Sequence, residues 1–180
     1  MIIFINPGHA PTADDGTTED PGAVSLSGRR EADIAAVIAR LTAAYLEKAG
    51  YNTPILQHND LDVIVSAANV TNADCLVSIH CNAARSETAH GAETWYSGSG
   101  DSEKLARCIQ FQIVSSVPVG NRGVKTGSFY ILRNTIMPAV LVELGFLSNC
   151  YDERVLLDPK WQDEFARAVA RGVTDYFAIN

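Results

Sequence analysis

The sequence predicts an α/β fold: a single domain with a twisted, mostly parallel sheet of about six strands and helices on both faces. Three observations carry that expectation. Short apolar runs alternate with segments of helical period along the whole chain. Three of those runs lead into a side chain able to bind a metal or move a proton, His9, His80 and Glu143, and open parallel sheets bind ligands outside the carboxyl ends of their strands. No repeat, low-complexity tract or Pro/Gly/Ser linker divides the 180 residues, which suffice to bury roughly two-thirds of the surface an unfolded chain exposes.

Residues 1–5 form the first strand, and the turn Asn6-Pro-Gly-His9 projects His9 from its end. Residues 10–28 make an irregular loop rich in Asp, Thr, Gly and Pro; connections this long in a compact domain are usually functional, so it should rim a site. A helix follows over residues 30–50, with Ile34, Ile38, Leu41 and Tyr45 on one face. Glu31 precedes Ile34 by three residues and falls on that apolar stripe, where a carboxylate must be paired, metal-bound or protonated. An acidic residue also complements a helix N-terminus, but His9 just upstream favours ligation. Residues 51–57 read as a strand near an edge, because of Pro54, and residues 60–72 as a shorter helix; His58 between them is expected to be exposed.

Residues 73–79 are the most strand-like run and continue into His80-Cys81-Asn82-Ala83. A loop over 84–90, with His90 at the surface, leads into the strand Gly91-Ala-Glu-Thr-Trp-Tyr96, whose aromatic and β-branched residues suit a sheet. A helix over 102–117 carries Leu105, Ile109 and Ile113 on one face. Residues 120–126 read as a loop and 129–133 as a strand; Met137-Pro138 then introduces the last strand, which ends at Glu143 before a turn over 144–149. Asp158-Pro159 starts a C-terminal helix that packs through Trp161, Phe165, Val169, Gly172 and Tyr176.

Composition excludes several classes. A formal charge of -7, with Arg29-Arg30 as the only basic pair, rules against a nucleic-acid partner, since phosphate backbones are bound by Lys and Arg clusters. No apolar stretch reaches the roughly 20 residues that span a bilayer, so no transmembrane segment is expected. Met1 runs straight into a strand without a basic n-region or cleavage site. The expectation is a monomer made in the cytoplasm without its own signal peptide. Cys75, Cys81, Cys108 and Cys150 form no C-x-x-C pair and read as buried free thiols.

Catalytic zinc is typically held by three His or Glu side chains, with the fourth position left to water. His9, Glu31 and His80 supply that set for one Zn2+, and Glu143 is the candidate general acid/base. A second reading makes Cys81 a thiol nucleophile with Glu143 as orienter, but strand alternation points Cys81 and His80 to opposite faces.

These residues carry a family resemblance. Asn6-Pro-Gly-His9, Asp20-Pro-Gly-Ala23 with Glu31, Val77-Ser-Ile-His80 with Asn82, Gly91-Ala-Glu-Thr-Trp-Tyr96, Arg122-Gly-Val-Lys125 and Pro138-Ala-Val-Leu-Val-Glu-Leu-Gly-Phe-Leu-Ser-Asn149 run in family order. The chain resembles the zinc-dependent N-acetylmuramoyl-L-alanine amidases of the Amidase_3 type, a group that includes cell-separation amidases and phage endolysin catalytic domains. The resemblance implies hydrolysis of the amide between N-acetylmuramic acid and L-alanine in peptidoglycan. It implies His9, Glu31 and His80 as zinc ligands, Glu143 as acid/base, and Asn82, Arg122 and Lys125 as substrate-binding residues. It further implies that residues 1–180 are one catalytic domain without a separate wall-binding domain, reaching the cell wall after release or export.

The chain departs from the family pattern in places. Asn6 stands where Asp is usual, Cys81 where a small residue is usual, an Arg is missing from Val63-Ile-Val-Ser-Ala-Ala-Asn69, and the loop over 10–19 is longer. Division amidases insert an autoinhibitory helix between the strand at 91–96 and the region of Arg122; here the interval holds one ordinary helix, so an open site is expected. A non-catalytic peptidoglycan-binding module would have lost a ligand or the base, and all four positions are filled.

Overall fold

Five strands make one sheet: β1 (Ile3–Pro7), β2 (Cys75–Asn82), β3 (Ala92–Tyr96), β4 (Asn121–Thr126) and β5 (Ala139–Phe146), in the spatial order β1-β2-β5-β3-β4. The computed structural model describes residues 1–11, 19–98 and 100–179. β1 with β2, β2 with β5, and β3 with β4 pair in parallel, whereas β3 runs antiparallel to β5. The helices are α1 (Glu31–Lys48), α2 (Leu61–Val70), α3 (Asp101–Ser116), α4 (Tyr130–Asn134), α5 (Cys150–Leu157) and α6 (Pro159–Ala178).

Strand alternation assigns each side chain to one of two apolar layers. Ile3, Ile5, Val77, Ile79, Cys81, Val140, Val142 and Leu144 pack against α1, α3 and α6 through Ile34, Ile38, Leu105, Ile109, Phe165 and Val169. Phe4, Leu76 and Leu141 face the other way and meet Ile64 and Ala68 of α2 and Ile131 and Leu132 of α4. Helices on both faces leave the central strands no wet side, which is why they read as continuous apolar runs. The layers also fix the site: His80 and Glu143 share the α2/α4 side with Leu76 and Leu141. Gly172 lets α6 close on α3, since a Cβ there would stand 2.4 Å from Ile109 Cα. Asp158 caps α6 by accepting from Lys160 N, with Pro159 in the first turn.

The fold class stands, with five strands among the described residues where about six were expected. Residues 51–57 make only isolated parallel bridges to β1, at Ile2 with Asn52 and Ile5 with Ile55, because Pro54 has no N–H to continue a ladder. Residues 121–126, expected as loop, form edge strand β4; their polar side chains hide the pattern, and the pairing is made by backbone. Residues 129–133, expected as strand, contribute to helix α4, which buries Ile131 and Leu132; a run this short does not distinguish the two by periodicity. The last strand continues beyond Glu143 to Phe146. Helix α5 has no counterpart in the sequence reading; Asn149 caps it by accepting from Tyr151 N and Asp152 N. Of the loop expected over 10–28, residues 12–18 lie outside the described residues. Between β3 and β4 the described residues contain only α3, whose Leu105, Ile109 and Ile113 are buried in the core, not over the site. Among the described residues no helix is long and apolar enough to cross a membrane.

Candidate metal centre

Among the described residues, His9, Glu31 and His80 each offer one donor atom, and the three atoms lie within 4.8 Å of one another. Three elements deliver them: the turn after β1, the first residue of α1, and β2. Glu31, only 4% exposed, is aimed by backbone on two sides: its Oε1 accepts from Cys81 N at 3.0 Å and its Oε2 from Ala23 N at 2.8 Å. His80 Nδ1 lies 3.0 Å from Oε1, and His9 Nε2 lies 3.3 Å from Oε2. The two imidazoles meet edge to face, with centroids 5.2 Å apart. Burial pushes the Glu31 carboxyl up, but the hydrogen bonds from His80 and His9 outweigh it and hold the group well below the usual carboxylate range. Its hydrogen bond to Glu31 raises His9 to about 9, against the opposing effect of burial.

The backbone is tailored to these rings. His9 adopts φ 56°, a left-handed conformation that costs a non-glycine residue roughly 1–2 kcal/mol and persists only where surroundings impose it. Gly22, at φ +66°, is the matching concession: a Cβ there would stand 2.5 Å from the His9 ring and 2.6 Å from Glu31 Oε2. Gly8 admits the other ring, since a Cβ would fall 2.3 Å from His80 Cε1. Asp20 accepts from His9 Nδ1 at 2.7 Å, which fixes a proton on Nδ1 and turns Nε2 toward Glu31. Burial raises the Asp20 carboxyl, and the hydrogen bonds from His9 and Gly22 N reverse the sign, holding it below its ordinary value.

Glu143 pairs in register with His80 across β2 and β5. Its Oε2 is out of solvent and has no hydrogen-bond partner among the described residues. Burial, then the charges of Glu31 and Glu93, push this carboxyl up to about 8, against a small opposing effect of His9. His9, His80 and Glu143 open into one cavity of about 380 Å³ that is also lined by Leu61, Ile64, Phe129 and Tyr130. This arrangement fits a divalent cation: two imidazole nitrogens and an ionised carboxylate supply the ligand types of a catalytic zinc site, with an uncommitted carboxylate beside them.

The structure gathers His9, Glu31 and His80 into one cluster with Glu143 in register beside His80, and it adds four residues to which the sequence reading gave no role. Asp20 is one; it sits in a quoted motif without an assigned role. Glu93 is another, a carboxylate 3% exposed that accepts from Arg122 Nε at 2.6 Å, Lys125 Nζ at 2.5 Å, Asn82 Nδ2 at 3.2 Å and Trp95 Nε1 at 3.2 Å. Asn82, Arg122 and Lys125 thus gather on Glu93, beside Glu143 in the sheet, and are not among the residues that line the cavity. Burial raises the Glu93 carboxyl, and the hydrogen bonds from Lys125 and then Arg122 more than reverse it. The signal was a charge inside an apolar and aromatic strand. His58, expected to be exposed, is half-buried in the cavity wall and accepts from Asp60 N at 2.9 Å. Pairing of Leu56 N with Ile5 O carries it to the carboxyl end of β1. The fourth is Asp152, fully buried, whose Oδ2 accepts from Gly91 N at 2.7 Å and Phe146 N at 2.9 Å.

Asn6 has a structural reason to be an amide. Its Nδ2 donates to Leu56 O at 2.9 Å and Pro7 O at 3.1 Å, which a carboxylate cannot do, while its Oδ1 accepts from Ser78 Oγ at 2.7 Å. Cys81 is 1% exposed in the layer opposite His80, and burial, then the Glu31 and Glu143 charges, push its thiol well up, so it is no nucleophile. Cys75 is also buried, but Cys108 is half-buried and Cys150 exposed, which corrects the expectation of four buried thiols. His90 is exposed as expected, its Nδ1 donating to Thr88 O.

Fold and site together define an α/β domain with a candidate His-Glu-His metal centre at the carboxyl ends of its parallel strands. Comparison with known proteins narrows the class. A family model described as N-acetylmuramoyl-L-alanine amidase matches residues 3–175. LytC of Bacillus subtilis, an N-acetylmuramoyl-L-alanine amidase, is 32% identical over 182 residues, covering 97% of this chain and 35% of LytC. YqiI of the same organism is 34% identical over 97% of this chain and 84% of its own length. The chain therefore spans about a third of one of these relatives and most of the other. An amidase of Clostridium difficile 630 superposes with a TM-score of 0.91 at 35% identity, covering 98% of this chain and 96% of that one. AmiC2 of Nostoc punctiforme does so at 0.90 with 31% identity, over 99% and 97%. The chain belongs to the N-acetylmuramoyl-L-alanine amidase family.

Proposed function

We propose that this chain hydrolyses the amide between N-acetylmuramic acid and L-alanine in peptidoglycan, as a monomer with one zinc ion. The observation that carries the reading is the cluster of His9, Glu31 and His80 donors next to Glu143, whose Oε2 has no partner among the described residues, at a cavity lined by His9, His80 and Glu143. His9, through Nε2, His80, through Nδ1, and Glu31 would hold the metal. Zinc bound there supplies a Lewis acid for the scissile carbonyl and a water acidified to a pKa of about 7.

The chain's own groups do the rest. Asp20 keeps the proton of His9 on Nδ1. The backbone N–H groups of Cys81 and Ala23 keep Glu31 aimed. Glu143, beside His80 and with an Oε2 that has no partner among the described residues, takes the proton of the attacking water and delivers it to the leaving nitrogen of L-alanine; one carboxyl serves both steps. Leu61, Ile64, Phe129 and Tyr130 give the cavity a partly apolar wall against which the peptide excludes bulk water. The thiol alternative has no support from geometry, with Cys81 sealed in the opposite layer. The binding-module alternative leaves the filled ligand set and the free carboxylate without a purpose.

The test is digestion of purified peptidoglycan with and without chelator. The expected result is free stem peptides with L-alanine at the new N-terminus, abolished by chelation and restored by zinc. Release of reducing sugars instead, or undiminished cleavage after exhaustive chelation, would refute the reading.

A further inference from the structure

We propose that Arg122 and Lys125, gathered on Glu93, form a subsite for a free carboxylate of the substrate, on the residue that follows the one whose amide is cut. The inference rests on the amidase reading and names what that site selects.

Charge comes first. Two cations share one carboxylate, and among the described residues neither is paired with any other acid, so the cluster keeps one surplus positive charge in a chain of net charge -7. Two cations held against one anion repel each other, and a second anion relieves that repulsion. Preorganisation comes second. Glu93 is 3% exposed, whereas the Arg122 and Lys125 side chains are 35% and 32% exposed, so the carboxylate is sealed beneath cations whose outer sides meet solvent. Aromatic faces also steady them: the Arg122 guanidinium lies 4.8 Å from the Phe146 centroid and Lys125 Nζ 5.2 Å from that of Trp95. Neither side chain has to be ordered by the ligand, which is where much of the cost of binding an anion lies.

Position comes third. His80 pairs in register with Glu143, and Glu143 with Glu93, so the three lie in one row across β2, β5 and β3. Strands are about 4.8 Å apart, which puts Glu93 roughly 10 Å from His80. Extended peptide advances about 3.5 Å per residue. An amide held at the His-Glu-His cluster therefore carries the α-carboxylate of the next residue about 7 Å along the row, within contact distance of the cations. One surplus charge with a planar guanidinium suits a single carboxylate rather than a polyanion.

The experiment uses two N-acetylmuramoyl-L-alanyl-D-glutamyl substrates that differ only in the α-carboxyl, free in one and amidated in the other. The readout is the ratio of their kcat/KM values on the same sample, which is independent of the fraction of protein correctly folded. Wild type should favour the free acid roughly tenfold or more, as one charge-assisted contact warrants. Lys125→Gln and Arg122→Gln should bring the ratio close to one. Glu93→Gln combined with Lys125→Gln removes one charge of each sign, and should restore the preference. A wild-type ratio near one, or a preference unchanged in both single variants, would overturn the proposal. A double variant as indiscriminate as Lys125→Gln alone would place the effect in the fold rather than the charge and overturn it too. Calorimetric binding of the dipeptide L-alanyl-D-glutamate, with its α-carboxyl free or amidated, reads the subsite without turnover. If neither muramoyl substrate is cut, the amidase reading fails and the dipeptide pair alone decides the subsite.

Discussion

Glu143 stands directly opposite Glu93 in the antiparallel pairing of β5 with β3, and the two carboxylates have opposite surroundings. Glu93 is saturated by Arg122, Lys125, Asn82 and Trp95, whereas Glu143 keeps an oxygen with no partner among the described residues. A committed anion beside an uncommitted carboxyl is how a protein separates charge placement from proton transfer.

That contrast predicts a split between metal and turnover. Glu143→Gln should retain zinc at one equivalent, by metal analysis, and lose turnover by roughly 10²–10⁴-fold, the usual worth of a positioned acid/base. Glu31→Gln should lose the metal. Equal zinc content in the two variants would mean that the ligand set is wrong.

The metal-free protein should lose stability as pH rises. Glu143, raised to about 8 in the fold, binds its proton more tightly there than when unfolded, so its contribution is present in acid and is lost between about pH 4.5 and 8. His9, raised to about 9, acts in the same direction from about pH 6.5 upward. Urea unfolding of chelated protein at pH 5 and 9 should show a fall on the order of a few kcal/mol, and Glu143→Gln should be flatter. Glu31, held low by its histidines, has the opposite sign: its contribution is fully present above about pH 4.5 and is lost progressively as pH falls below that. A chelated protein more stable at pH 9 than at pH 5 would contradict these assignments.

Close packing on the His80 ring makes Gly8 a sensitive position. A Cβ placed 2.3 Å from Cε1 and 2.4 Å from Nδ1 must push the imidazole away from Glu31. Gly8→Ala should therefore weaken zinc binding by at least the 10–100-fold expected of lost ligand orientation, with the sheet intact by circular dichroism. Asp20→Asn should weaken it through the other histidine, because an amide does not hold the His9 tautomer as a carboxylate does. Unchanged zinc affinity in both would remove these supports from the site.

Much of the candidate site was legible in the sequence because its parts lie at ends of apolar runs, where a charge demands a reason. His9, His80 and Glu143 announce themselves in that way, and Glu31 by falling on a buried stripe. The misses have a common cause. β4 is held by backbone pairing along an edge and carries Arg122 and Lys125 outward, so no period betrays it. Helix α4 is one turn long, too short for a period to show. Segment 51–57 has the composition of a strand, but Pro54 interrupts its ladder with β1. Glu93 and Asp152 are buried acids whose partners are distant in sequence, and only the assembled fold brings those partners to them.

Asp152 yields the last prediction. It lies on α5, yet its Oδ2 takes the N–H of Phe146, three residues after Glu143, and the N–H of Gly91, two residues before Glu93. One fully buried carboxylate thus fastens the strand segments that carry both acidic side chains of the row, while its Oδ1 has no partner among the described residues. Asp152→Ala should leave two buried N–H groups unsatisfied, at about 1–3 kcal/mol each, and let β5 and β3 drift apart at the site. Asp152→Asn keeps a carbonyl oxygen for both donors and should recover most of the stability. The mutants should also separate in kinetics. Loss of kcat in Asp152→Ala, measured where the protein is fully folded, should exceed that in Asp152→Asn by an order of magnitude or more, because reaction geometry tolerates little misplacement. If the alanine variant is destabilised but turns over normally when folded, Asp152 supports the fold alone and does not position Glu143.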